Sequence, residues 1–312
     1  MGDNHIKKRR WRQLVLIVLF VLALLSCALA FLFPGDASEN WKKVFQFFGL
    51  GRFSDCADGS PLAVHILDVG KADSIFIECN GHYMLVDGGT VDRGKQVSSY
   101  LKGRGVQSLD CVVNTHPDSD HIGGLKEIFE RFRVSRYLSP SLPPALLPKS
   151  TEYLDVQAAR KRANLKEEHP AAGTSFSVGP MRVSVLGPIA AGTNTNNNSI
   201  VLRLSFGETS FLLMGDAEKE EEMSLLASGV DLSATVLKIG HHGSDTSSSE
   251  AFLRAVKPKY AVISVGDDSN NLPKVAVSKR LSDNGITVYR TDLNKTVIFL
   301  SDGKSVSVKT EE

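Results

Sequence analysis

The stretch Thr115-His116-Pro117-Asp118-Ser119-Asp120-His121-Ile122-Gly123-Gly124 sets two histidines and two aspartates within six positions. It follows Cys111-Val112-Val113-Asn114, a short run with the apolar, β-branched character of a buried strand. A strand that stops in such a cluster and turns on glycine delivers several ligand side chains to one point. A metal-dependent hydrolase assembles its site in this way.

Four other places repeat the pattern of an apolar strand running into acids, histidines or amides. They are Asp87-Gly88-Gly89, Asn196-Asn197-Asn198-Ser199, Gly215-Asp216 and Gly240-His241-His242-Gly243-Ser244. Strands are expected from Ala63 to Asp68, then Ser74 to Cys79, an Asn80-Gly81 hairpin turn, and Tyr83 to Val86. Further strands are expected over Phe176 to Leu186, Ile200 to Phe206, Ser210 to Met214, Thr235 to Ile239 and Tyr260 to Val265, with closing strands at Thr287 to Arg290, Thr296 to Leu300 and Ser305 to Lys309. Helical patterns cover Gln96 to Gly103, Gly124 to Phe132, Thr151 to Glu168, Glu218 to Ser228, Ser248 to Val256 and Val275 to Asn284. The proline-rich Ser139 to Pro148 cannot be regular. Hairpins in the first half and strand–helix alternation in the second predict an α/β sandwich, two sheets with helices on their outer faces.

The bulk numbers allow one large domain. The chain has 312 residues, 42% of them hydrophobic, enough for a sizeable core. Net charge is +1, from 36 basic and 35 acidic residues. Residues 1 to 60 hold 8 of the basic and 5 of the acidic ones, which leaves 28 against 30, or −2, for the remainder. No global basic character marks a nucleic-acid binder.

The N-terminus reads as a membrane-targeting segment. Lys7, Lys8, Arg9, Arg10 and Arg12 precede an uncharged run of 20 residues from Leu14 to Phe33. At about 1.5 Å per residue that run spans a bilayer core of roughly 30 Å. The basic flank keeps residues 1–13 in the cytoplasm and places the bulk of the chain outside. An uncleaved, single-pass anchor over 14–33 is expected, followed by a linker over 34–60 and a hydrolase domain over 61–312. Cleavage after Ala28-Leu29-Ala30, giving secretion, and lipidation at Cys27 are the alternatives. Cys56, Cys79 and Cys111 are an odd number outside the membrane, and Cys79 and Cys111 sit in apolar strands as small core residues. His65 and His82 read as ordinary strand and turn residues, Asp68 and Asp73 as loop-stabilising acids, and Lys238 as a strand residue beside the site.

Six blocks in order carry a family resemblance: HILDVGKADSIFIE (65–78), MLVDGG (84–89), VNTHPDSDHIGGL (113–125), NNNSIVLRLSFGETSFLLMGDAE (196–218), LKIGHHGSDTSSSEAFLRAVKPKYAVISVG (237–266) and VYRTDLNKTVIFLSDG (288–303). The chain resembles metallo-β-lactamase-fold hydrolases, and within them the extracytoplasmic domain of ComEC-type competence proteins. The resemblance implies a four-layer αββα sandwich and two divalent metal ions. By it, His116 and Asp118 hold one ion and Asp120 and His121 the second. Asp216 bridges the two and His241 completes the second site. Asp120 also orients the attacking group. Side chains of adjacent residues diverge, so one of His241 and His242 reaches the metal, with His241 favoured, and the other lies behind the ligands or faces the substrate, which makes His242 a catalytic candidate. Asp87 is a structural acid beneath the site, Asn198 falls where the wider fold places a histidine, and Ser244 is a candidate substrate contact.

This chain departs from those patterns. Asp118 stands at a usual histidine, so with Asn198 the first site is oxygen-rich, which favours Mn²⁺ over Zn²⁺. Lys71-Ala72 stands where Gln-Gly is usual, Leu272-Pro273 where His-Pro is usual, and Lys295 at a usual glycine. The function implied is a membrane-anchored, extracellular phosphodiesterase or nuclease acting on DNA. With one membrane segment, DNA uptake by this chain alone is not expected. Hydrolysis of another extracellular ester (a phosphocholine ester, a lactone or a β-lactam) is the alternative, followed by a non-catalytic binding protein on the same fold.

Overall fold

A computed structural model of the protein describes residues 59–266 and 271–311. The expected cytoplasmic segment, membrane anchor and nearly all of the linker lie outside the described residues, as do Cys27 and Cys56. Among the described residues no helix is long and apolar enough to cross a membrane.

The first half runs β1 (Leu62–Ile66), β2 (Ile75–Cys79), β3 (His82–Val86), α1 (Gly94–Gly103), β4 (Ser108–Leu109), β5 (Cys111–Val113), α2 (Ser119–Ile122), α3 (Leu125–Arg131), β6 (Arg133–Val134), β7 (Tyr137–Leu138), α4 (Thr151–Arg162) and β8 (Glu167–Glu168). The second half runs β9 (Ser175–Val178), β10 (Met181–Gly187), β11 (Val201–Phe206), β12 (Thr209–Leu213), α5 (Lys219–Ser228), β13 (Val236–Lys238), α6 (Glu250–Val256), β14 (Tyr260–Ile263), α7 (Val275–Asp283), β15 (Thr287–Arg290), α8 (Thr291–Asn294), β16 (Val297–Ser301) and β17 (Val306–Thr310). One large sheet has the order β17-β16-β1-β2-β3-β5-β7-β8 and the second β15-β14-β13-β12-β11-β10-β9, while β4 and β6 form a separate two-stranded sheet.

Strand alternation explains the layers. Leu62, Val64 and Ile66 of β1, Ile75 and Ile77 of β2, and Phe211 and Leu213 of β12 point into one shared core between the sheets. The intervening Phe76 points to the other face, where it packs with Val97 and Leu101 of α1 and Ile128 of α3. On the far side Leu212 and Leu237 meet Leu225, Phe252, Leu253, Val277 and Leu281 of helices α5, α6 and α7. The result is the expected helix–sheet–sheet–helix sandwich. Cys79 and Cys111 are free thiols in the inter-sheet core, as their apolar strands implied.

Two expected elements differ. The helix expected over Thr151 to Glu168 ends at Arg162. Asn164 takes a left-handed backbone with φ 51°, and the Leu165 N–H folds back onto the Arg160 carbonyl at 3.1 Å. Glu167 and Glu168 are thereby released to pair in parallel with Tyr137 and Leu138. The strand expected over Phe176 to Leu186 is a hairpin, with Met181 paired to Val178 across a turn at Gly179-Pro180.

The connections place the polar clusters together. β3 pairs in parallel with β5, and β12, β13 and β14 run parallel to one another. The C-terminal ends of β3, β5, β12 and β13 carry Asp87, the 115–124 stretch, Asp216 and the 240–244 stretch, at the edge where α/β sheets present ligands.

Candidate metal centre

The Asp87 and His121 turns are bonded backbone to backbone. Gly88 N–H donates to the His121 carbonyl at 2.7 Å, and Gly124 N–H to the Gly89 carbonyl at 3.0 Å. A Cβ on Gly124 would fall on the Gly88 carbonyl oxygen, and one on Gly88 would lie 2.7 Å from the Leu125 nitrogen. Only glycine permits this approach.

Asp87 organises the first wall. Its carboxylate accepts from Thr115 N–H at 2.7 Å, Thr115 Oγ1 at 2.6 Å and Asn114 Nδ2 at 3.1 Å, and lies 2.8 Å from His121 Nδ1. With Nδ1 held by Asp87, the Nε2 of His121 faces the site. There Nε2 lies 3.3 Å from Asp216 Oδ1. His116 Nε2 is 3.9 Å from Asp216 Oδ2 and 3.7 Å from Asp118 Oδ2. Asp118 precedes α2 with an extended backbone and keeps a 41% exposed side chain at the mouth. Asp120, in the first turn of α2, is less exposed, its Oδ2 2.7 Å from Lys71 Nζ and 3.6 Å from His242 Nε2.

Asp216 comes from the other sheet. Ser199 Oγ accepts its backbone N–H at 3.1 Å, and Gly215, at φ 54°, packs on Thr115, where an added Cβ would lie 2.9 Å from Thr115 Cβ. His241 and His242 both adopt left-handed backbones, with φ 46° and 51°. His242 is fully buried, donates Nδ1–H to the Ser264 carbonyl at 2.8 Å, and brings Nε2 to 3.6 Å from Asp216 Oδ2. His241 turns outward. Its Nδ1 lies 3.2 Å from Glu218 Oε1 and 3.0 Å from Thr246 Oγ1, and its Nε2 is 4.0 Å from Asp216.

A cation site needs donors that nothing else occupies. His116 Nε2, His121 Nε2, His242 Nε2 and Asp216 Oδ1 are buried and carry no hydrogen bond, although such orphans are rare in folded proteins. They converge. The donor atoms of His116, His121 and Asp216 lie within 4.8 Å of one another, as do those of Asp120, His121 and His242. The residues present therefore fit divalent ions. Charge agrees with this. Burial would raise the Asp216 carboxyl, but the His242 and His121 imidazoles hold it well below the usual range. Burial works against a charged His121, yet Asp216 and Asp87 carry its pKa well above the ordinary value. Burial lowers His116, with the His121 charge adding to it. Without a metal, protons balance these carboxylates, and a cation would replace them.

The structure moves three expected residues. His242, expected on the substrate side, reaches the donor cluster, while His241, expected as a ligand, is held at the rim by Glu218 and Thr246. Both imidazoles approach Asp216 Oδ2, with Nε2 of His242 at 3.6 Å and of His241 at 4.0 Å, and the two left-handed residues give the inner ring the shorter approach. Asn198 does not face the centre. Its Oδ1 accepts from Gly192 N–H at 3.1 Å, and its Nδ2 donates to the carbonyls of Gly192 and Asn194 at 3.1 and 2.6 Å, so the amide closes its own loop. Ser244 Oγ is 3.0 Å from Thr246 Oγ1 and accepts the Thr246 N–H at 3.3 Å, which shapes the 240–244 turn. Thr115, Ser199 and Ser264 escaped the sequence reading, because a hydroxyl or a carbonyl in a strand end carries no signal of its partner. Lys238 is wholly buried with Nζ 2.9 Å from Asp73 Oδ2, a structural pair beneath the site.

The description "Metallo-beta-lactamase superfamily" belongs to the family profile that matches residues 67–267. The chain is similar to ComE operon protein 3 of Bacillus subtilis, at 32% identity over 75% of this chain and 32% of that protein. It is also similar to Competence protein ComA of Neisseria gonorrhoeae, at 30% identity over 90% of this chain and 38% of ComA. It thus spans about a third of the length of these curated relatives. Among solved structures, CmlA, a diiron beta-hydroxylase from Streptomyces venezuelae, matches with TM-score 0.53 and 18% identity, covering 83% of this chain and 59% of that one. The metallo-beta-lactamase fold protein YhfI from Bacillus subtilis matches with TM-score 0.51 and 12% identity, covering 78% of this chain and all (100%) of that one. These two likenesses concern the fold alone. Four layers, a donor cluster at the strand ends and a profile match across most of the domain lead to one conclusion: the chain belongs to the metallo-beta-lactamase superfamily.

Proposed function

We propose that the chain is a metal-dependent phosphodiesterase that cleaves DNA at the outer face of a membrane, to which residues 14–33 anchor it. The observation that carries the hydrolase reading is the convergence of three unbonded, buried imidazole nitrogens on Asp216. Similarity to competence proteins supports DNA as the substrate, and the basic, apolar N-terminus supports the location.

His116, Asp118, His121 and Asp216 would hold one ion, and Asp120, His242 and Asp216 the other. Bound there, two divalent ions would supply an activated water and neutralise charge on the leaving oxygen. The chain's own groups do the positioning. Asp87 and the Ser264 carbonyl fix the tautomers of His121 and His242, so that both Nε2 atoms face inward. His241, 25% exposed at the rim and steadied by Glu218, would meet the substrate's phosphate. With Asn198 outside the centre, the preference for manganese rests on the carboxylates Asp118, Asp120 and Asp216 against three imidazoles.

The test is a substrate panel. Chelated full chain, resupplied with Mn²⁺ or Zn²⁺, is offered single- and double-stranded DNA, RNA, bis(p-nitrophenyl) phosphate and nitrocefin. DNA and the phosphodiester should be cleaved, faster with manganese at equal free metal, and DNA affinity should fall steeply with salt. Zinc-dependent opening of nitrocefin with DNA untouched would overturn the proposal.

A further inference from the structure

We propose that the Lys71 ammonium is a resident cation of this centre. It holds Asp120, so the resting chain binds one divalent ion tightly and a second only weakly. The inference rests on the metal reading above and deepens it.

Lys71 Nζ lies 2.7 Å from Asp120 Oδ2. That same oxygen is the one 3.6 Å from His242 Nε2. The carboxylate oxygen that a second ion would share with His242 thus already carries a positive charge. Across the centre the situation differs. Among the described residues, the ion pairs of His116, His121 and Asp216 involve only histidines and aspartates, with no ammonium or guanidinium.

Nor is Lys71 a loose surface lysine. Its loop is closed by Leu67 N–H to the Ser74 carbonyl at 3.0 Å and tightened by Ala72 N–H to the Gly70 carbonyl at 2.9 Å. Asp73 N–H then donates to the Asp120 carbonyl at 3.1 Å, so the loop is bonded to the backbone of the residue whose side chain Lys71 grips. Gly266 packs on the backbone of this loop so closely that a Cβ there would lie 2.7 Å from Gly70 Cα and 2.9 Å from the Lys71 backbone nitrogen. An ammonium so placed must be displaced or crowded by a divalent ion on Asp120, and like charges at such range repel strongly. When a phosphodiester enters, the ammonium offers its positive charge to a non-bridging oxygen without a second metal.

Metal stoichiometry tests this without reference to activity. Full chain, chelated and then equilibrated by dialysis against Mn²⁺ alone, is analysed for bound manganese across a concentration series. Wild type should bind about one ion before the second. In Lys71→Gln the second ion should bind at least about tenfold more tightly, as expected once a neighbouring positive charge is removed. Lys71→Arg keeps the charge and should keep the wild-type curve, which separates charge from folding damage. Two ions of equal affinity in wild type, or a Lys71→Gln curve identical to wild type, would overturn this proposal and leave the metal reading standing. Failure of every variant to bind manganese would sink both.

Discussion

Residues 115–124 and 240–244 both follow short buried strands and both bring imidazoles to Asp216, yet they are held in different ways. In the first loop the side chains are gripped from beneath. One carboxylate, Asp87, takes three donors from Asn114 and Thr115 and lies against His121. In the second the backbone does the aiming. His241 and His242 sit at φ 46° and 51°, a region that costs non-glycine residues on the order of 1–3 kcal/mol each. The first loop can be rebuilt from its side chains. The second depends on a strained backbone that its neighbours must enforce, including Glu222, whose carboxylate caps the Ser248 and Ser249 N–H groups just beyond it.

Substitutions at the centre should separate the two walls. Imidazoles of both walls approach Asp216, so on the proposed function Asp216→Ala should abolish cleavage, by at least about 10³-fold, since it would remove the carboxylate proposed to serve both ions. Activity within tenfold of wild type would sink the shared centre. Lys238→Met breaks the buried pair with Asp73 and leaves that buried carboxylate with only the more distant His242 Nδ1, 3.9 Å from its other oxygen. Denaturant unfolding should show a loss of about 3–5 kcal/mol. Pairing it with Asp73→Leu should recover much of that loss, and no recovery would show that the pair is not an isolated unit.

The two adjacent histidines give the sharpest contrast. His242→Ala should weaken manganese binding by about 10–100-fold or more, while His241→Ala should change it by less than tenfold. Calorimetric titration of the chelated chain with manganese decides this, and the opposite ranking would restore His241 as the ligand.

The smallest effect lies on α5. Burial pushes the Glu221 carboxyl up to about 7, against the Ile189 N–H that favours its charged form. The native state therefore binds this proton more tightly than the unfolded chain, whose carboxyl titrates near 4.5. The contribution of Glu221 to stability is therefore fullest below pH 4.5 and is lost as pH rises through 7, by about 1–3 kcal/mol. Glu221→Gln should flatten the profile and be the more stable protein at pH 8. A wild-type profile flat from pH 4.5 to 8 would refute the assignment.

Much of this was legible in the sequence because the first wall announces itself. Four ligand-type residues in six positions, Gly-Gly behind them and Asp-Gly-Gly upstream locate side chains that local hydrogen bonds then fix. The hairpins of the first half and the strand–helix alternation of the second likewise foretold two sheets with helices on their outer faces. The second wall was not legible at that level. His241 and His242 are neighbours of the same type, and which one turns inward depends on a left-handed backbone that no composition reveals. Asn198 misled for a related reason. An amide at a strand end can serve a ligand or its own loop, and the carbonyls of Gly192 and Asn194 that claim it become neighbours only on folding. The early end of α4 turned on a single left-handed residue, Asn164.

The fused turns at Gly88 and Gly124 carry one more consequence. With each glycine backbone seated against the other strand's exit, neither turn can shift without the other. A side chain added at Gly88 or Gly124 would push the Asp87 and His121 ends apart together, and the donors of both would lose register.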